Sequence, residues 1–223
     1  VAKVTGNQII KAGTLLMLGY SIDEVRNKTK YLSSSSNKVA IKKAIFPWSR
    51  FPAEDTMLGP EMKATGEVLG VGKEFGTALN KAYAAAGVEI NNKEKGIFVT
   101  LSDSEKPNFI KTVNKYLELG FTVYSTEGTG KFLKTNGIDS VIVGKADDLG
   151  QTSLTIIEDK LVSLVINTPT YANELSDGWK IRRLSHETGV AVVSSVREAD
   201  AFIEAFLNQN LVLDDLEVIQ DVS

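Results

Sequence analysis

Hydrophobic and polar positions follow two different rhythms along this chain, and the change falls near residue 95. From there on, short apolar runs alternate with segments of helical spacing. Ile97, Phe98, Val99, Thr100 and Leu101 form a β-branched and aromatic run of the kind that makes a buried strand. Phe109, Val113, Tyr116 and Leu117 then fall on one helical face, and Gly120 stops the helix. The same logic predicts strands over 97–101, 121–124, 140–143, 162–166 and 190–193. It predicts helices over 106–119, 129–136, 152–159, 177–188 and 197–206. Alternation of this kind implies a parallel five-stranded sheet flanked by helices on both faces, with Rossmann-like layering and right-handed crossovers.

The first ninety residues are less regular. Gln8 to Leu18 carries Ile9, Ala12, Leu15 and Leu16 on one face, Ser21 with Glu24 forms a capping box, and SSSSN at 33–37 is a polar loop. Val39 to Phe46 alternates as a half-exposed strand does, and Glu74 to Ala86 is a helix rich in Ala. Between them, MLGPEMKATGEVLGVG has four glycines and little periodicity, so it is expected to be closely packed irregular backbone. One strand, a few helices and much loop make a poor free-standing core, so residues 1–90 are expected to be the end of a larger α+β domain. The polar stretch GVEINNKEK supplies a linker at 91–95, and residues 96–223 form the second unit. Its tail from Leu207 is acidic, and LEVI within it is a candidate edge strand.

Charge sharpens the division. Residues 1–95 hold 14 Lys/Arg against 9 Asp/Glu, and residues 96–223 hold 11 against 19, which suits docking between the two parts. The total of −3 gives no reason to expect nucleic acid as a partner. No apolar run has membrane-spanning length, and no signal peptide is evident. The chain has no Cys, which removes disulfide scaffolds and thiolate chemistry and is compatible with a cytoplasmic location.

In an open parallel sheet, ligands bind beyond the C-terminal ends of the strands. Four polar sets fall there: Ser102 to Lys106, Thr126 to Thr129 with Gly128, Gly144 with Lys145, and Asn167 to Thr170. Two lysines, several hydroxyls and the amides of a helix start make a set suited to a phosphate. The bland alternative is that the hydroxyls cap helices and the lysines face water. Glu127 opposes an anion unless it points away. GTG at 128–130 has neither the dinucleotide nor the phosphate-loop spacing. His186, the only histidine, lies within a helix and is expected to be a surface or interface residue. With no Cys and scattered carboxylates, neither a metal site nor a nucleophilic triad can be assembled.

The motifs resemble a known family. FPWSRFPAEDTMLGPEMKATGEVLGVG resembles the end of the second ATP-grasp unit in the large subunit of carbamoyl-phosphate synthase. LSDSEKP, GFTVYSTEGT, EDKLVSLVINTP and DGWKIRRLSHETGV resemble the methylglyoxal-synthase-like regulatory domain that follows it. The resemblance implies a ligase subunit serving pyrimidine or arginine biosynthesis, which works with ATP, Mg or Mn and a glutaminase small subunit. Residues 1–90 would lack the catalytic loop, so no carbamoyl phosphate synthesis is expected of the chain itself. It further implies that UMP or IMP binds as effector. Lys106, Thr126, Gly128 and Thr129 would hold the phosphate, and Lys145, Asn167 and Thr168 would face the ribose or base. Arg182 and Arg183 would match the recurrent IRR pair, in support of those loops or exposed. Ornithine is a further candidate effector, and a homo-oligomer through the second unit is possible in this family. Two alternatives stand beside this reading: a non-allosteric docking domain of an arginine-pathway form, and a methylglyoxal synthase-type lyase, whose histidine and aspartate loops are not seen here.

Overall fold

Apolar strands dictate the centre of the molecule. The computed structural model describes residues 2–29, 38–46, 66–88, 90, 96–168 and 176–208. In the second unit, strands β3 (Gly96–Thr100), β4 (Thr122–Ser125), β5 (Val141–Ile142), β6 (Val162–Asn167) and β7 (Ala191–Val193) are joined by α5 (Lys106–Glu118), α6 (Glu127–Thr135), α7 (Ser153–Glu158) and α8 (Asp177–Thr188), with α9 (Val196–Leu207) at the end. Among the described residues, four helices and two strands of the first unit precede them.

All pairings in the five-stranded sheet are parallel, in the order β5-β4-β3-β6-β7. The chain winds outward from β3 through β4 to β5, then returns to lay β6 on the other side of β3. Side chains of β3 alternate accordingly. Ile97 and Val99 join a core with Phe109, Tyr116, Phe202 and Phe206, while Phe98 joins Ile156, Ile157, Val165 and Ile181. So α5 and α9 cover one face, and α7 and α8 the other. Neighbouring strands β3 and β6 therefore lead into helices on opposite faces, the switch point beyond whose C-terminal ends open parallel sheets have their ligand crevice. The expected sheet and the expected helices are present, with ends within two residues of those read from the sequence.

The first unit holds α1 (Ala2–Thr5), α2 (Ile9–Met17), α3 (Ile22–Lys28), β1 (Val39–Ile45), β2 (Gly66–Gly72) and α4 (Phe75–Ala85). The Ser21–Glu24 capping box is formed reciprocally, as its spacing predicts. One expectation fails here. Residues 66–72 are not irregular backbone but a strand, antiparallel to β1 from Val39↔Gly72 to Ile45↔Gly66. The glycines hid it because they replace the side chains by which a strand is recognised. A Cβ on Gly70 would overlap the Ala78 carbonyl and the Ala82 amide of α4, so the helix lies directly on the strand backbone. α4 in turn packs on α9, where Tyr83 meets Phe202 edge to face at 4.8 Å.

Several expected features lie outside the described residues: the serine loop at 33–37, most of the LGPEMKATG motif, the linker at 91–95, the segment from residue 169 to 175, and the acidic tail with LEVI.

Candidate functional site

At the crevice, side-chain hydroxyls tie the strand ends together. Thr168 N donates to Thr100 O at 3.1 Å, and Ser102 N donates to Thr168 Oγ1 at 2.8 Å. Leu101 N donates to Thr129 Oγ1 at 3.1 Å, and Thr126 Oγ1 donates to the same oxygen at 3.3 Å. Thr129 and Thr168 are buried, so these hydroxyls satisfy amides at the ends of β3 that the sheet leaves over. Each threonine thus has a structural task, and Thr126 is in addition the N-cap residue of α6.

Helix α6 starts at Glu127, two residues earlier than its periodicity suggests, which places Glu127, Gly128 and Thr129 in its first turn. The free amides of that turn and the helix dipole make a locally positive end. Glu127 does not point its charge into it. Its carboxylate takes a hydrogen bond from Lys131 Nζ at 2.7 Å on the exposed side of the helix. That pairing holds Glu127 below the usual carboxylate range, with Lys145 adding a smaller attraction. The spacing of four residues between Glu127 and Lys131 was the signal in the sequence that could have foretold it.

Lys106 opens α5, followed by Pro107 in the first turn. Its ammonium comes to 3.9 Å from where a Cβ on Gly128 would stand, so it lies beside the first turn of α6. There it is held by Asp103 Oδ1 at 2.6 Å, and the hydrogen bond from Lys106 pulls the Asp103 carboxyl below its ordinary value. Lys145, after β5, is exposed, and its backbone amide donates to Asp148 Oδ2 at 2.7 Å.

Asn167 closes β6 beneath the start of α8. Arg182 Nη1 donates to Asn167 Oδ1 at 2.8 Å. Both residues are buried, at 2% and 3% exposure. Arg183 is buried too and its Nε donates to Glu187 Oε1 at 2.6 Å. The exposed placing left open for this pair is therefore corrected: Arg182 supports Asn167, and Arg183 is anchored along its own helix. A guanidinium cannot be left in an apolar interior, and these acceptors are what make its burial tolerable. Two residues that the sequence reading did not single out border the same edge. Lys180 Nζ reaches both Asp147 oxygens at 2.8 and 2.7 Å, tying α8 to the loop after β5. A lysine and an aspartate 33 residues apart carry no local pattern, so nothing in the sequence could have joined them.

His186 lies on α8 toward Lys43, Arg183 and Arg182. Burial first, and those three cations after it, push its pKa down to about 4. This is an interface position, away from the crevice. Among the described residues no group of three His, Asp or Glu could hold a metal ion, and no helix is long and apolar enough to cross a membrane.

Lys106, Thr126, Gly128, Thr129 and Thr168 are thus joined around the first turns of α5 and α6 and the β3–β6 crevice. Asn167 stands behind them under α8. Lys145 sits on the neighbouring loop, near enough to Glu127 to add a small attraction. Around Lys106 the arrangement offers an ammonium paired with the Asp103 carboxylate, a positive helix end and several hydroxyls.

Comparison with known proteins agrees with this architecture. The family model described as MGS-like domain matches residues 108–194. The carbamoyl phosphate synthase large chain, C-terminal section, of Aquifex aeolicus is 35% identical, over 92% of this chain and 40% of that protein. Its counterpart in Methanocaldococcus jannaschii is 34% identical, over 92% of this chain and 34% of that protein. The carbamoyl phosphate synthase large chain of a Nostoc species is 31% identical, over 99% of this chain but only 20% of that protein. The chain therefore spans well under half the length of these relatives. Aligned with them over nine-tenths of its length or more, at about a third identity, the chain is a relative of the C-terminal section of carbamoyl phosphate synthase large chains, and its residues 108–194 match an MGS-like domain.

Proposed function

We propose that the second unit binds a nucleoside monophosphate, UMP or IMP, at the C-terminal edge of its sheet. Through it, the domain adjusts carbamoyl phosphate synthesis by a larger ATP-dependent assembly. The observation that carries this reading is the meeting of the Lys106 ammonium with the first turn of α6. Two positive features from separate elements face one place, and a phosphate suits both through charge-assisted bonds. Thr126, Gly128 and Thr129 are the partners for its oxygens. Lys145, Asn167 and Thr168 are nearest to where a ribose and base would extend. Glu127, turned outward onto Lys131, does not oppose it. In this reading the first unit completes a domain that other parts of a large chain supply, together with ATP, its metal ion and a glutaminase subunit.

A second reading has its own observation. The close seating of α4 on α9 fits a domain whose task is docking alone, with no effector, as an arginine-pathway form would have it. A methylglyoxal synthase-type lyase is the least supported, since among the described residues the carboxylate at this edge, that of Asp103, is paired with Lys106 and the one histidine lies at the far end of α8.

Calorimetric titration of the chain with UMP, IMP and ornithine separates these. Binding of UMP or IMP that weakens about thirtyfold in Lys106→Ala supports the effector site. Thr129→Ser is the better companion than alanine, because it keeps the acceptor for Leu101 N. Ornithine binding alone, insensitive to Lys106, moves the site elsewhere. No binding by any of the three leaves the docking role, and turnover of dihydroxyacetone phosphate would show the lyase.

A further inference from the structure

We propose that Asp103 is a built-in competitor at the anion site: its carboxylate occupies Lys106 when no ligand is bound, and an incoming phosphate must displace it. The proposal rests on the reading of this edge as a phosphate site and adds a residue that sets its affinity.

The geometry is asymmetric. The two side chains meet at 2.6 Å, yet that of Lys106 is 15% exposed and that of Asp103 95% exposed. The lysine is held in place, with its ammonium against the first turn of α6. The aspartate reaches it from the solvent side, off the short loop after β3. A cation beside a positive helix end is an unfavourable neighbourhood unless an anion joins it. Asp103 supplies that anion from within the chain. It can satisfy the ammonium, but no hydrogen bond joins it to an α6 amide among the described residues. A phosphate can take both at once, and it brings a second charge.

The exchange is therefore affordable only for a ligand that engages more than the lysine. An exposed pair of this spacing is easily broken, so the competitor lowers affinity without closing the site. Small singly charged anions gain little by replacing one carboxylate with another. Glu105, the next acidic residue in the same loop, makes no hydrogen bond or ion pair to Lys106, and it serves as the control for charge without contact.

The test is a double-mutant cycle on the full chain, titrated with UMP and separately with inorganic phosphate and followed by NMR shifts of the α6 amides. Asp103→Asn is expected to tighten binding by about two- to fivefold in the otherwise unchanged chain. It should have no effect in a Lys106→Ala background, and Glu105→Gln should change binding less than Asp103→Asn does. Equal tightening by both acid-to-amide variants, or tightening that persists without Lys106, would mean that only the general field matters, and overturns the proposal. If inorganic phosphate binds with this pattern but UMP does not, the nucleotide reading falls while Asp103 keeps its role. Binding of neither probe by any variant overturns both.

Discussion

Asn80 of α4 closes the end of α9, its Nδ2 donating to Ala205 O at 2.7 Å and to Asn208 O at 2.8 Å. The last carbonyls of a helix have no partners within it, and here a side chain from the other unit, 125 positions earlier, supplies them. Around it, Leu79 and Ile90 enter the same hydrophobic cluster as Phe202 and Phe206. The first unit thus finishes the core of the second.

Removing the cap should be costly. Asn80→Ala leaves one buried and one half-buried carbonyl without this donor and is expected to destabilise the chain by roughly 1–3 kcal/mol. Asn80→Asp should be worse, because it sets a carboxylate against those carbonyls. Gly76→Ala, whose Cβ would overlap the Glu204 carbonyl, should cost a similar 1–3 kcal/mol or so by forcing the helices apart. Urea unfolding monitored by circular dichroism measures all three, and an unchanged midpoint in Asn80→Ala would refute the capping role.

Proteolysis should reveal the same contact differently. Protease is expected to cut between about Gly87 and Lys95. The seam between α4 and α9 should nevertheless keep the two pieces together. The nicked chain is expected to elute as one species on gel filtration and to separate only in denaturant. Separation under native conditions, or faster loss of the piece from residue 96 onward, would contradict this.

The acid limb of stability should carry the signature of His186. Its folded pKa of about 4 lies below the ordinary 6.5, so the unfolded chain binds the extra proton between those values. Stability contributed by the neutral ring is complete above pH 6.5 and is lost as pH falls toward 4. That amounts to about 2–3 kcal/mol over the window. The lowered carboxyls of Asp103 and Glu127 act in the same direction, but from below their ordinary range near pH 4. The slope between pH 6.5 and 5 therefore belongs to His186, and His186→Gln should flatten it.

How much of this was legible depended on what kind of residue carried the message. β3 and β6 announced themselves because Ile97 to Val99 and Val162 to Ile166 are apolar on both faces, as buried parallel strands must be. The loops after them could be placed at one edge from the strand order alone. β2 stayed hidden because Gly66, Gly70 and Gly72 carry no side chains to alternate. Arg182 was equally opaque. In DGWKIRRLSHET it sits among polar residues, and only the packing of α8 over Asn167 turns it inward. The direction of Glu127 is a choice of partner, and local spacing hinted at Lys131 without deciding it. What the sequence cannot express is contact between distant residues such as Asn80 and Ala205, which depends on the assembled fold.

Arg182 offers the sharpest separation of a burial effect from a binding effect. Its guanidinium has only donors, so it fixes Asn167 with Oδ1 toward itself and Nδ2 away. Arg182→Met should leave Asn167 Oδ1 buried without its donor and cost roughly 1.5–3 kcal/mol, since the lost bond was to a charged group. Restoring order does not require the charge. Replacing both partners, in Arg182→Met with Asn167→Leu, removes the orphaned amide as well, and the double variant should recover part of the stability lost in the single one. Unfolding free energies of the four chains give the coupling directly. A coupling near zero would mean that the bond contributes nothing and that Arg182 is held by its other interactions. Titration of the same four chains with UMP then completes the argument. Arg182→Met is expected to weaken binding only to the extent that Asn167→Leu does, because the arginine acts through the asparagine and the double variant has no asparagine left to orient. Additive losses would instead place Arg182 itself against the ligand.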